Sequence, residues 1–299
     1  MKPITYTRVK RKLIRTFFRE QWSLLLLPDC KDDLLGAGKE RALKAIVPQR
    51  DIQWADPFIV EWAGRVYIFV EQQYKHENGI LGYIELFPDL SHSAFTSILE
   101  KPYHLSFPNV FRYENGWYMI PESHENKTID LYKAVDFPGV WEFETTLMQG
   151  VDAVDSVVFC HDATYWLFTS IRGKSHNDNL HLFYASTFPT HEWTPHPGNP
   201  ICTGLTNSRM AGAVSCWGGG RIYRPAQNCL KDYGKETNIN EILELTKTSY
   251  KERVVKTILP EKEMSAVCTH TLNFSENYTV RDIKTRTLRV LDNFTMVVV

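Results

Sequence analysis

An all-β fold, a five-bladed β-propeller, is predicted by three features of this 299-residue chain. A phrase of apolar strand, polar or glycine turn and aromatic strand occurs four times. It reads ADPFIVEWAGRVYIFVE from Ala55, FPNVFRYENGWYMIPE from Phe107, VDSVVFCHDATYWLFTS from Val154 and MAGAVSCWGGGRIYRPAQ from Met210. A shorter fifth copy, HTLNFSENYTVRDI, begins at His270. The copies lie roughly fifty residues apart, the period of a blade made of a hairpin followed by outer strands. No charged or Ser/Gly linker interrupts them, so residues 21–299 read as one domain behind a basic extension, residues 1–20.

Each element has a local reason. In the extension, Arg8, Lys10, Arg11, Lys12, Arg15 and Arg19 surround Leu13, Ile14, Phe17 and Phe18. Residues 8–19 therefore read as a helix lying on an anionic membrane surface, or as one packed on the propeller rim. Gln21–Leu27 (QWSLLLL) reads as a strand that completes the last blade, so that the ring closes without an open edge. Ala37–Gln49 is polar enough for a short helix or a loop. Within each copy the first strand is expected to be buried on both faces beside the axis. The second is aromatic, as in Val66–Phe69, Trp117–Ile120 and Tyr165–Phe168. Ile129–Ala134 and Leu180–Ala185 follow as outer strands, and Glu114-Asn115-Gly116 and Gly218-Gly219-Gly220 are turns. The HPGNPI stretch from His196 leads into blade four, and residues 239–255 suit a helix or outer strands equally.

Composition narrows the function. A net charge of −1 argues against a nucleic-acid partner. The six cysteines (Cys30, Cys160, Cys202, Cys216, Cys229, Cys268) show no metal-ligand spacing, and neither do His104, His124 and His161, so no metal and no cofactor are assigned. Cys160 and Cys216 are expected inside inner strands as small hydrophobes. The apolar run Leu24–Leu27 is too short for a leader, and no stretch is long enough to span a bilayer. A cytoplasmic protein, with peripheral membrane contact through residues 8–19 as an option, is the expectation.

Aligned on Gly64, Gly116, Ala163 and Gly220, the residues eight places earlier are Asp56, Pro108, Asp155 and Gly212. Inner strands start at one mouth of a propeller channel, so Asp56 and Asp155 are expected to converge there. Two carboxyl groups across a funnel suit glycosidic-bond chemistry, one as base or nucleophile and one tuning pKa or orientation. The alternative is that they cap strand-start turns. Arg209 and Arg224 flank the blade-four hairpin and His270 opens blade five; Glu71, Glu122 and Gln227 end second strands. All six are candidate substrate ligands. For the arginines the alternative is an ion pair with Asp56, Asp155 or Glu122. Trp54, Trp62, Trp117 and Trp217 suit either sugar stacking or blade packing.

The segments ADPF in blade one and VDSVVF with YWLF in blade three resemble five-bladed glycoside hydrolases of the arabinanase and β-xylosidase type, the family 43-like enzymes. That resemblance implies Asp56 as general base and Asp155 as its pKa-modulating partner. It also implies a general-acid glutamate opening blade four, where this chain has Ser208-Arg209-Met210-Ala211-Gly212. The run SRMAGAVSCWGGGRIYRPAQNCLKDYG, with INEILELT and THTLNF after it, is similar to the N-terminal region of plant glucosamine inositolphosphorylceramide transferases. With the acid missing and arginines present, the favoured activity is inverting glycosyl transfer in surface polysaccharide or glycolipid synthesis. The implied partners are a phosphate- or nucleotide-activated sugar donor and a glycan or glycolipid acceptor. Hydrolysis and non-catalytic glycan binding are the alternatives.

Overall fold

The computed structural model describes residues 16–29, 31 and 42–288. Five antiparallel sheets follow one another along the chain, each one blade. Blade one runs Ile52–Trp62, Arg65–Tyr74, Ile80–Leu86 and Thr96–Leu99 from axis to rim. Blade two repeats that order with Ser106–Tyr113, Gly116–Glu122, Thr128–Asp136 and Val140–Gln149. Blade three has Ala153–His161, Thr164–Ile171, Asn179–Ala185 and Thr194–Pro195, with Cys202–Thr203 also paired to its third strand. Blade four has Ser215–Trp217, Arg221–Asn228, Glu236–Leu245 and Tyr250–Ile258.

Blade five is assembled from both ends of the described chain. Ala266–Cys268 and Leu272–Phe274 pair with one side of Tyr278–Leu288. Phe18–Pro28 pairs with the other side in unbroken register, from Phe18 opposite Leu288 to Pro28 opposite Tyr278. Lys44–Ile46 adds the outer edge. The four consecutive leucines explain why this strand holds its place. Side chains alternate faces along a strand. Leu24 and Leu26 accordingly enter the core shared with blade one, while Leu25 and Leu27 enter the core shared with blade four. A one-residue slip would leave every pairing in the strand wrong. The largest core cluster lies among blades one to four and includes Phe69, Phe107 and Phe168, all fully buried.

Several expectations change. The Ala37–Gln49 stretch contributes the strand Lys44–Ile46, with residues 37–41 outside those described. Residues 239–255 are outer strands, because Glu236–Leu245 and Tyr250–Ile258 pair side by side. Cys160 and Cys216 lie in inner strands but are exposed, since they fall toward the hairpin ends, away from the packed middle of the blade. Most of residues 8–19 lies outside the described chain, whose strand begins at Phe18. Among the described residues, no helix is long and apolar enough to cross a membrane.

Candidate active site at the channel mouth

The pairing of inner and second strands breaks at the same place in three blades, between Ala55 and Phe58, Ser106 and Asn109, and Val154 and Val157. Each break holds a residue with left-handed backbone: Asp56 at φ 51°, Phe107 at 47° and Asp155 at 52°. Such bulges re-aim side chains. The conformation costs on the order of 1 kcal/mol for a residue with a Cβ, least for aspartate, whose short polar side chain bonds locally. The equivalent of the two aspartates in blade two is therefore Phe107, one place before Pro108, because the hairpin turns there at Glu114-Asn115 and Gly116 already belongs to the next strand. Its ring packs edge-on against Phe58 at 5.0 Å, and its N–H donates to Asp56 Oδ2 at 3.2 Å. In blade four Gly212 has φ 150°, and a Cβ there would stand 2.1 Å from the Leu272 carbonyl oxygen.

On one side of the mouth stand Asp56, His270 and Asp282. The Thr271 hydroxyl donates to Asp56 Oδ1 at 2.6 Å. Asp282 accepts the backbone N–H groups of His270 (2.8 Å), Thr271 (3.1 Å) and Asp56 (3.1 Å). His270 Nδ1 lies 2.5 Å from Asp282 Oδ2, off the ring N–H axis, and Nε2 lies 3.6 Å from Asp56 Oδ1. The imidazole stacks on Trp22 at 4.2 Å and meets Tyr233 edge-on at 5.3 Å. Burial works against a charged His270, but Asp282 and Asp56 outweigh it and raise its pKa. Burial also raises Asp56, with His270 pulling the other way. Asp56, His270 and Asp282 present ligand atoms within 4.8 Å of one another, a spacing open to a cation. Their chemistry does not require one: both oxygens of each carboxylate already accept N–H or O–H groups, and the ring between them favours its own positive charge.

On the other side, Arg209 clamps two carboxyl groups. Its Nε donates to Asp155 Oδ2 at 2.5 Å and its Nη2 to Asp155 Oδ1 at 3.3 Å and Glu122 Oε2 at 3.4 Å. Nη1 donates to Asn177 Oδ1 at 3.1 Å, and the guanidinium lies 5.2 Å from the Tyr233 ring centre. The Arg209 carbonyl accepts the Gln227 N–H at 2.8 Å, which fixes its backbone, and the Gln227 amide donates to Asp155 Oδ2 at 3.2 Å. Burial raises Asp155 to about 8, against the pull of Arg209 and with help from Glu122. At Glu122 burial is outweighed by the hydrogen bond with His124 Nδ1 at 2.7 Å and by Arg209, which bring it down to about 2. Two like groups this close to one guanidinium titrate together, Asp155 upward and Glu122 downward.

Glu71 sits where Glu122 does, each opposite the residue that precedes the bulge, Ala55 and Ser106 respectively. Burial pushes Glu71 well above the carboxylate range, and Asp56, Glu122, Asp282 and Asp155 add to the shift. His104 Nδ1 accepts the Gly79 N–H at 2.9 Å, so the neutral ring carries its proton on Nε2, 3.4 Å from Glu71 Oε1.

Asp56, Asp155, Glu71, Glu122, Arg209, Gln227 and His270 thus form one cluster. Arg224 does not join it. Fully buried, it donates from Nε and Nη2 to Glu252 (2.8 and 2.6 Å) and from Nη2 to the Asn207 carbonyl at 2.9 Å. Its place on the second strand of blade four turns the side chain toward the outer strand that carries Glu252. For Arg209 the ion-pair alternative holds, with Asp155 and Glu122 as partners. Of the tryptophans, Trp54 and Trp217 are core, and Trp62 and Trp117 pack on each other at 5.7 Å. Sequence reasoning missed Thr271, Asp282, Tyr233, Asn177 and the role of His104. Asp282 was visible in principle, since it closes the fifth copy of the phrase.

A family model described as glucosamine inositolphosphorylceramide transferase 1, N-terminal, matches residues 51–272. The proteins named glucosamine inositolphosphorylceramide transferase 1 in Arabidopsis thaliana and in Oryza sativa subsp. japonica are each 34% identical over 207 residues, 66% of this chain. The match covers 26% and 27% of their lengths, so the chain corresponds to only about a quarter of these relatives. Among solved structures, an exo-β-1,3-galactanase from Clostridium thermocellum superposes with a TM-score of 0.57 at 12% identity, covering 72% of this chain and 53% of the other. The GH43 protein BlXynB of Bacillus licheniformis gives 0.52 at 14% identity, over 75% and 47%. A family 117 glycoside hydrolase from Zobellia galactanivorans gives 0.53 at 12%, over 78% and 85%. At these identities the likeness concerns the fold alone.

Proposed function

This chain belongs to the glucosamine inositolphosphorylceramide transferase 1 N-terminal family, and on that premise we propose that its channel mouth performs inverting glycosyl transfer from a phosphate-activated sugar to a glycan or glycolipid hydroxyl. The observation that carries this reading is Arg209. Blade four brings a guanidinium to the carboxyl cluster, held between Asp155 and Glu122. Cleaving an unactivated glycoside needs a proton donor for the leaving oxygen. A phosphate leaving group needs positive charge instead, and guanidinium suits phosphate oxygens.

In this mechanism Asp56 takes the proton of the acceptor hydroxyl. Its raised pKa makes it a stronger base than an exposed aspartate, and Thr271 and the Phe107 N–H hold it in place. As the acceptor oxygen bonds to the anomeric carbon from one face, the bond to the phosphate oxygen breaks on the other. The electron pair leaves with the phosphate. Asp155 and Gln227 orient Arg209 and offer hydrogen bonds to sugar hydroxyls. The basic, apolar-striped residues 8–19 fit a cytoplasmic protein that meets a membrane-borne acceptor.

Calorimetric titration with a panel of nucleotide sugars, alongside a transfer assay, tests the reading. Asp56→Asn is expected to abolish transfer and leave donor binding intact. A second reading has its own observation: Glu71, its pKa raised by burial and in the same cluster as Asp56, is equipped as a general acid for hydrolysis. Brisk cleavage of a neutral aryl glycoside, lost in Glu71→Gln and accompanied by no response to phosphorylated ligands, would establish that reading instead. Binding of a glycan with no turnover would leave a lectin-like module.

A further inference from the structure

The geometry points to His124 and His176 as positioning residues, a two-histidine latch between blades two and three that fixes the direction of the Arg209 guanidinium. Asp155 holds Arg209 from the Nε side, through Nε at 2.5 Å and Nη2 at 3.3 Å. The rest of the polar grip comes from Glu122, which accepts from Nη2 at 3.4 Å, and Asn177, which accepts from Nη1 at 3.1 Å. Each of these two residues is tied to a histidine. Glu122 Oε1 lies 2.7 Å from His124 Nδ1. Asn177 directly follows His176, whose Nε2 lies 2.6 Å from Asp152 Oδ1. The two imidazoles meet edge-on with ring centres 5.0 Å apart, an arrangement that aromatic pairs favour.

The backbone aims both rings. His124 opens the short turn His124–Asn126 behind the strand that carries Glu122, and the Lys127 N–H closes that turn on the His124 carbonyl at 3.0 Å. His176 sits in the loop between the second and third strands of blade three. There Ser175 Oγ accepts the Asn177 N–H at 3.1 Å, and Asp178 accepts the Ser175 N–H at 3.2 Å. Asp152 stands just ahead of the inner strand, and its other oxygen accepts from Arg172 Nη1 at 3.4 Å. Burial works against the charge of Glu122 and of Asp152, but His124 with Arg209, and His176 with Arg172, outweigh it and lower both pKa values. A carboxylate only accepts, so His124 carries its proton on Nδ1 and His176 on Nε2. Pairs this near the surface contribute little to folding. What they fix is direction, because turning either ring away releases one of the two Nη contacts. The consequence for catalysis rests on the glycosyl-transfer reading, in which Arg209 faces the leaving phosphate.

The test records proton–nitrogen NMR spectra of the arginine side chains in the whole chain, with Arg209 assigned by its absence in Arg209→Lys. In the wild type its guanidinium is expected to rotate slowly about the Nε–Cζ bond. His124→Leu and His176→Leu remove the anchoring N–H groups and are expected to speed that rotation about tenfold, the effect of losing one hydrogen bond of ordinary strength. His124→Asn and His176→Gln, whose amide nitrogens fall close to the imidazole Nδ1 and Nε2 positions, are expected to restore the slow rotation. Unchanged rotation in both leucine variants overturns the latch. Release by the amide variants as complete as by leucine overturns it as well, since ring packing alone would then be responsible. Should a leucine variant fail to fold, the isosteric Asp152→Asn decides: faster rotation supports the latch and an unchanged rate overturns it. No substrate enters the measurement, so its failure leaves the transfer reading to the Asp56→Asn assay, and failure of that reading leaves the latch standing.

Discussion

Glu71 and Glu122 occupy the same place in adjacent blades, on the second strand, opposite the residue before a left-handed bulge and beside a histidine. Their pKa values move in opposite directions. Glu122 receives a hydrogen bond from His124 and lies against Arg209, which lowers its pKa to about 2 despite burial. Glu71 has His104 at 3.4 Å and four acidic neighbours, and burial with their repulsion raises its pKa. The blade repeat therefore determines where a carboxyl stands, whereas the groups packed around it, from its own blade and from others, set the direction of its pKa. The His124 hydrogen bond, within blade two, and Arg209, from blade four, together separate the two cases.

Removing Arg209 should have the largest effect. Arg209→Met leaves Asp155 and Glu122 buried without their cation, and a loss of about 3–5 kcal/mol is expected in urea unfolding at neutral pH. It should also make Glu122 resemble Glu71, with a pKa moved upward, measurable by carbon-detected NMR titration. An unchanged unfolding midpoint would mean the clamp contributes nothing to the contrast.

The paired isosteric changes come next. Glu122→Gln deprives Arg209 and His124 of a charged acceptor, and a loss of about 1–3 kcal/mol is expected. Glu71→Gln places a neutral amide of the same shape where burial already disfavours the charged carboxylate, so it should fall within about 1 kcal/mol of wild type. Equal losses for the two substitutions would refute the difference in protonation.

The smallest effect is read from the slopes of stability against pH. Glu122, with a folded pKa of about 2 against 4.5 for the ordinary group, contributes stability above pH 4.5 that is lost as pH falls toward 2. Asp155, folded at about 8 against 3.8, contributes stability below pH 3.8 that is lost as pH rises through 8; Glu71, also raised, acts in the same direction. Each group adds a slope of about 1 kcal/mol per pH unit in its own window. Glu122→Gln should flatten the acid limb and Glu71→Gln the alkaline limb. Chemical denaturation across pH would show whether each variant changes only its own limb.

Much of the architecture was legible because a propeller repeats its local pattern. The five copies of one phrase, their turns and the alternating leucines of residues 24–27 each follow from short-range periodicity, which needs no knowledge of distant contacts. The same periodicity aligned Asp56 with Asp155. It misaligned blade two by one residue, since Pro108 and Gly116 looked like the punctuation while the bulge and turn fall at Phe107 and Glu114-Asn115. It was silent on Arg224, whose partner Glu252 lies two strands away, and on Tyr233, which comes from a loop inside blade four, between its second and third strands.

The sequence by itself determined the blade count, the strand order and the positions from which side chains reach the channel mouth, because these depend on period and turn chemistry. Only the tertiary structure decided which arginine faces the carboxyl groups, in which direction the pKa of each of two equivalent glutamates moves, and that Asp282 and Thr271 hold Asp56 and His270 in place. Those outcomes rest on burial and on charges a few ångströms apart that are contributed by blades far apart in the chain.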